Sequence, residues 1–191
     1  MYELTAIATR IEALREIIGL SIEEMAAHTG TTIEEYRALA SGTTDFSFTF
    51  LYKCAGAFGV DIVELITGEA PHLAAYTVVR AGEGLPIKRR ASFQYSHLAA
   101  RFKNKLCEPF VVTAPFAHEQ QDKPIELSTH AGQELNYILS GSLKLAIDGH
   151  VEILNAGDSV FYDSSLGHGM IAIGGQPCTF ISVVLKPGAA T

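Results

Sequence analysis

The 191-residue sequence has no tryptophan, and its longest apolar runs, such as Phe180–Leu185, are only strand-length. A membrane-spanning helix needs about 20 apolar residues, so no such span is expected. The opening residues Met1, Tyr2, Glu3 and Leu4 lack a basic stretch followed by an apolar one, so no secretory leader is expected. Cysteine is scarce: Cys54, Cys107 and Cys178 stand far apart with no CxxC pair. That spacing argues against a zinc ribbon or a dithiol redox motif and predicts free, buried thiols in a cytoplasmic protein. Basic residues are scarce in one region only. Residues 1–70 hold four of them, Arg10, Arg15, Arg37 and Lys53, against eleven acids, a net charge of −7. The remainder has ten bases and ten acids, so the negative charge of the whole chain lies in its first third.

What is present divides the chain by period. Leu4, Ile7, Ile11, Leu14 and Ile18 recur at steps of three and four, the stripe of an amphipathic helix that Gly19 ends. Ser21 with Glu24, and Thr32 with Glu35, repeat the S/T-x-x-E capping-box spacing eleven residues apart. Gly30 lies between them, so two short helices joined by a tight turn are expected. Gly42 closes the second of these. A further helix runs to Phe58, and a fifth ends at Gly68. A linker over residues 70–75 separates this part, 1–69, from residues 76–188, where the period changes to two. Strands are expected at 76–80, 87–95, 110–112, 125–130, 135–139, 143–147, 151–154, 159–162, 170–173 and 179–185. The Asp148-Gly149 pair marks a tight hairpin. The fold class expected is α+β in two domains: a five-helix bundle followed by an antiparallel β-barrel.

Metal-type side chains concentrate in two stretches. His130, Glu134 and Gly141 form the first, and Gly157, Asp158 and His168 the second. Their spacing resembles the paired motif of the cupin family, over about Tyr76 to Lys186. The resemblance implies a jelly-roll, or double-stranded β-helix, barrel in which His130, Glu134 and His168 converge on a divalent metal. Two imidazoles and a carboxylate suit Fe(II), and Mn, Ni, Co or Zn also fit such a set. Ser128 stands where many cupins carry a further histidine, and a serine hydroxyl is a weak ligand. Asp163 and Ser165 replace the usual proline and glycine. The plainer alternative is a metal-free ligand pocket in which the two histidines hydrogen-bond Glu134. His28, His72, His97, His118 and His150 show no ligand spacing and are expected to be surface or capping residues.

A basic group follows at Lys88, Arg89 and Arg90 and again from Arg101 to Lys105, with Tyr95 between. Arg90, Tyr95, Arg101 and Lys103, with Ser128 and Asn136, are the candidates for binding a small, anionic ligand. A solvated basic strand edge is the bland alternative.

Ile11–Glu16, Leu20–Ala26, Gly30, Leu39, Gly42 and Leu51–Leu65 resemble the Xre-type helix-turn-helix. Xre domains followed by cupins occur in bacterial transcription regulators whose barrel senses a small molecule, which implies a homodimer on a two-fold operator. Thr31, Thr32, Glu34, Arg37, Thr43 and Thr44, with Lys53, are then the candidate DNA contacts. Glu34 and Glu35 favour the helix start through its dipole, but they repel phosphate at the end of the helix that meets DNA. The chain also resembles the iron-dependent epoxidase of fosfomycin synthesis, through His130-Ala131-Gly132, Glu134 and Gly141. That resemblance implies a non-haem iron enzyme whose helical part is structural or a docking module. The junction Ile17–Ser21 lacks the active-site lysine that the epoxidase draws from its helical domain.

Overall fold

The computed structural model describes residues 4–69, 71, 73, 75–89 and 93–187. They fall into two compact units, one built on helices and one on strands. No helix among the described residues is long and apolar enough to cross a membrane.

The helical unit contains α1 (Leu4–Ile18), α2 (Ile22–Thr29), α3 (Ile33–Ala40), α4 (Phe48–Phe58) and α5 (Ile62–Thr67). Both expected capping boxes are formed. The Ser21 and Thr32 hydroxyls accept from the amides of Glu24 and Glu35, and those glutamates accept from the Ser21 and Thr32 amides. Gly30 ends α2 at φ 70, a left-handed cap that side-chain-bearing residues rarely adopt. Ile11, Met25, Tyr36, Leu51, Cys54 and Leu65 form the centre of the core. Tyr36 donates its hydroxyl to Glu12 at 2.9 Å, so this buried polar group is satisfied.

Three of the four bases in residues 1–70 serve this architecture. Arg10 donates to the carbonyls of Leu65 and Ile66, at the end of α5. Arg15 pairs with Glu12 and donates to the Leu20 carbonyl. Lys53 donates to the Thr29 carbonyl at the end of α2, and burial lowers its pKa. Lys53, one of the expected DNA contacts, is thereby half-buried against the end of α2.

The strand unit contains β1 (Leu85–Arg89), β2 (Phe93–His97), β3 (Cys107–Ala114), β4 (Gln133–Ser140), β5 (Ser142–Ile147), β6 (His150–Asn155), β7 (Ser159–Asp163), β8 (His168–Ile173) and β9 (Cys178–Leu185). They form a six-stranded sheet, β1-β2-β3-β9-β4-β7, and a three-stranded sheet, β6-β5-β8. The ladders recorded are antiparallel. Burial alternates strictly along β3 and β9, so one face of each strand supplies the core. Two expected strands did not form. Residues 76–80 are irregular, with Tyr76 and Val78 well exposed. Residues 125–130 contribute a single bridge, Ser128 to His168. The stretch expected as one strand over 87–95 is divided between β1 and β2.

Candidate metal centre and helix-turn-helix face

Register brings the centre together. On β4, Glu134, Asn136 and Ile138 point inward, and Glu134 pairs with Tyr162 of β7 on one side and Val184 of β9 on the other. His130 lies just before β4, and its amide donates to the Ser164 carbonyl. The turn between His130 and Glu134 passes through Gly132 at φ 108, and a Cβ there would collide with the Leu185 carbonyl. His168 opens β8 and is fixed by two backbone bonds to Ser128, of 2.8 and 3.0 Å.

The nitrogen and oxygen atoms that His130, Glu134 and His168 offer lie within 4.8 Å of one another, and all three residues are buried. His130 Nε2 stands 3.2 Å from Glu134 Oε2. The two imidazole rings meet edge to face, with centroids 5.1 Å apart. Around them sits a shell that fixes His168 and Glu134. His168 Nδ1 donates to the Leu166 carbonyl at 2.8 Å, which leaves Nε2 with the lone pair. Glu134 Oε1 accepts from Asn136 at 3.0 Å and from Ser182 at 3.1 Å, which frees Oε2 for the centre. Asn136 also donates to the Tyr162 hydroxyl.

Electrostatics follow from this packing. Burial acts to raise the Glu134 pKa, but His130, His168 and the Asn136 bond outweigh it and hold the carboxyl below its usual range. Burial lowers His168, against the Leu166 carbonyl and Glu134. Burial, with Glu134 beside it, pushes the Tyr162 hydroxyl far up, so it remains a neutral group. Two imidazoles and an ionised, tethered carboxylate are a donor set that fits a divalent metal.

The structure places the other candidates less uniformly. Asn136 is fully buried against Glu134, and Ser128 is half-buried with its backbone serving His168. Tyr95 is half-buried, its ring edge-on to Phe110 at 5.9 Å. Arg101 and Lys103 are exposed, in a segment that groups with the helices and not with the strands that carry the triad. Arg90 lies outside the described residues. Sequence reasoning missed Tyr162, Ser182 and the buried group His97, Lys105 and Glu108. His97, expected to be a surface or capping residue, is 0% exposed and donates to Glu108. The signal lay in parity: Glu108 shares its face with Phe110 and Val112.

On the helix-turn-helix, Thr32, Glu34, Arg37, Thr43 and Thr44 are exposed, and Thr31 is half-buried with its hydroxyl 3.0 Å from that of Thr29. Arg37, at the last turn of α3, is the base of these helices not drawn into the architecture above.

Comparison with known proteins agrees with both halves. Residues 8–71 match the family described as helix-turn-helix domain, and residues 118–184 match the cupin domain. The chain joins a helix-turn-helix domain to a cupin domain. A solved HTH_3 family transcriptional regulator from Vibrio cholerae is similar over 97% of this chain and 98% of its own, at 19% identity and a TM-score of 0.69. The Fe(II) form of HppE covers 96% of this chain and 100% of its own at 21% identity, with a TM-score of 0.51. Hydroxypropylphosphonic acid epoxidase from S. wedmorenis in complex with fosfomycin aligns at 22% identity over 97% and 100%, with a TM-score of 0.50. At these identities the likeness is one of fold. No curated protein sequence matches the chain.

Proposed function

We propose that this protein is a DNA-binding regulator whose cupin domain responds to a small molecule at a divalent metal held by His130, Glu134 and His168. The observation that carries the reading is the exposed face of α3 and the turn after it. Thr32, Glu34, Arg37, Thr43 and Thr44 are all exposed there while the helices behind them are fully capped and packed. A homodimer would set two such faces on successive major grooves. With so few free bases, binding rests on direct contacts more than on counterion release. The bound metal would supply a Lewis-acid position for an oxygen or nitrogen of the sensed molecule. Glu134 and the two histidines hold it, Asn136 and Ser182 fix the carboxylate, and Leu166 fixes the His168 tautomer.

The test is selection of binding sequences from random duplex DNA, followed by anisotropy with metal-free and metal-loaded protein. A selected two-fold site whose affinity changes with metal supports the reading. Failure to select any site removes it. A second reading, a metal-dependent cupin enzyme, draws on a different observation: the triad is buried and braced, while three of the four bases of the helices serve the fold. Full iron occupancy with oxygen uptake and no selected DNA site would favour it.

A further inference from the structure

Glu108 lies two strands from the triad and takes no part in it. It is 1% exposed. It pairs with Val184, which pairs on its other side with Glu134, so the two carboxylates share one inward row. Two interstrand spacings put their backbones about 10 Å apart.

Three chain segments converge on Glu108. His97, the last residue of β2, accepts the Ala99 amide at Nδ1 (2.9 Å), and its Nε2 donates to Glu108 Oε2 at 2.7 Å. Lys105, side chain 3% exposed, brings Nζ to 3.8 Å from the same oxygen. Lys186, just beyond β9, brings Nζ to 3.5 Å from Oε1. Its amide also donates to the Leu106 carbonyl at 3.0 Å.

His97 and Lys105 are the two stems of a strap. Between them Ala100–Asn104 groups with the helical unit. There the Leu73 amide donates to the Arg101 carbonyl at 2.9 Å, and the Lys103 amide donates to the Leu73 carbonyl at 2.8 Å. Asn104, at φ 55, turns the chain back towards β3. The end of β9 faces two ways. Leu185 pairs with Gln133, and its carbonyl lies where a Cβ on Gly132 would fall, against the turn that carries His130 and Glu134. One residue later, Lys186 holds the return stem of the strap.

We propose that Glu108 is the hub of a latch. By tying both stems of the strap to the end of β9, it makes the setting of the His130–Glu134 turn govern how firmly the strap is held at its bonds to Leu73. A buried carboxylate is costly unless its partners stay in place, so the three segments shift together or not at all. The latch rests on the proposed function only in naming metal at the triad as what sets the turn.

The experiment follows tryptic cleavage after Arg101 and Lys103 by mass spectrometry, in wild type, Glu108→Gln and Lys186→Met, each with and without Zn(II). Both cleavage sites are exposed, and the strap must detach from Leu73 to be cut. Without metal, Glu108→Gln is expected to be cut about fivefold faster than wild type, and zinc to slow the wild type by about fivefold. Zinc bound in equal stoichiometry is expected to leave Glu108→Gln and Lys186→Met unprotected. Equal metal-free rates for wild type and Glu108→Gln overturn the hub. Zinc binding to wild type without slowing, or full zinc protection in folded Glu108→Gln, overturns transmission. Should Glu108→Gln lose its far-UV dichroism, Lys186→Met decides, because full zinc protection there overturns the latch. If wild type binds no zinc, the metal reading fails, and the metal-free rates of wild type and Glu108→Gln still decide the hub.

Discussion

In the helix-turn-helix, the candidate contacts run from Thr31 to Thr44, and one short turn and helix present them all. In the cupin domain, His130 and His168 lie far apart in the chain, and they meet through the ladders of β4, β7 and β9 and the Ser128–His168 bridge. The first arrangement depends on local caps, each worth about 1 kcal/mol. The second depends on pairing that has no local substitute, so damage there should be large and all-or-none, and damage in the first small and graded.

The largest expected effect is at the triad. His168→Ala removes one of the three proposed ligands and should abolish stoichiometric metal uptake, measured by elemental analysis of chelator-free protein, while the β-sheet dichroism persists. Retained stoichiometry in the variant would remove this centre. Next comes the turn beneath it. Gly132→Ala combines φ 108 with a collision against the Leu185 carbonyl and should lower stability by more than about 3 kcal/mol in denaturant titration. Gly157→Ala, at φ 95 with open space around it, should cost about 1 kcal/mol. Equal costs for the two would mean that the close approach at Gly132 is relieved elsewhere.

In the helical unit, Thr32→Ala should cost about 1 kcal/mol through the lost cap, and Thr43→Ala, exposed in a turn, under about 0.5 kcal/mol. Acid should then separate the caps from the rest. The Glu24 and Glu35 carboxyls are held below 4.5, chiefly by the amides of Ser21 and Thr32. A carboxyl depressed on folding adds stability that is complete above its unfolded value and is lost as pH falls through its folded value. Wild-type stability should therefore decline below pH 4.5 more than in the Glu24→Gln, Glu35→Gln double variant, followed by thermal melts across that range. The smallest effect concerns DNA. With Arg37, Arg101 and Lys103 exposed, the salt slope for random duplex should correspond to about one to three contacts per protomer, and Glu34→Gln should raise affinity without steepening it. A steep slope would reverse the electrostatic contrast between the two regions.

This same division governs what could be read before the fold was known. The caps at Ser21 and Thr32, the glycine ends of the helices and the Asp148-Gly149 turn are written in neighbouring residues, and each formed as expected. The His130, Glu134 and His168 set was legible because a family spacing carries it, and the structure brings those residues together. Ser182 and Tyr162 were not legible, because only the registers of β9 and β7 against β4 set them beside Glu134. The basic run from Arg101 to Lys105 was read as one surface. In the fold, Lys105 is buried near Glu108 while Arg101 and Lys103 stay in solvent, a division made by the turn at Asn104.

The internal employment of Arg10, Arg15 and Lys53 bears on how a mutational scan of this domain would be interpreted. If the protein binds DNA as proposed, alanine at any of the three would weaken that binding in a cell-based screen and would score as a lost phosphate contact. The loss would arise from a frayed α5, an unfastened α1 or an uncapped α2, and it would be accompanied by lower protein abundance. On that proposal only Arg37 of the four would score with abundance unchanged, so dividing each binding score by the protein level would separate a base exposed for contact from the three that hold the helices in shape.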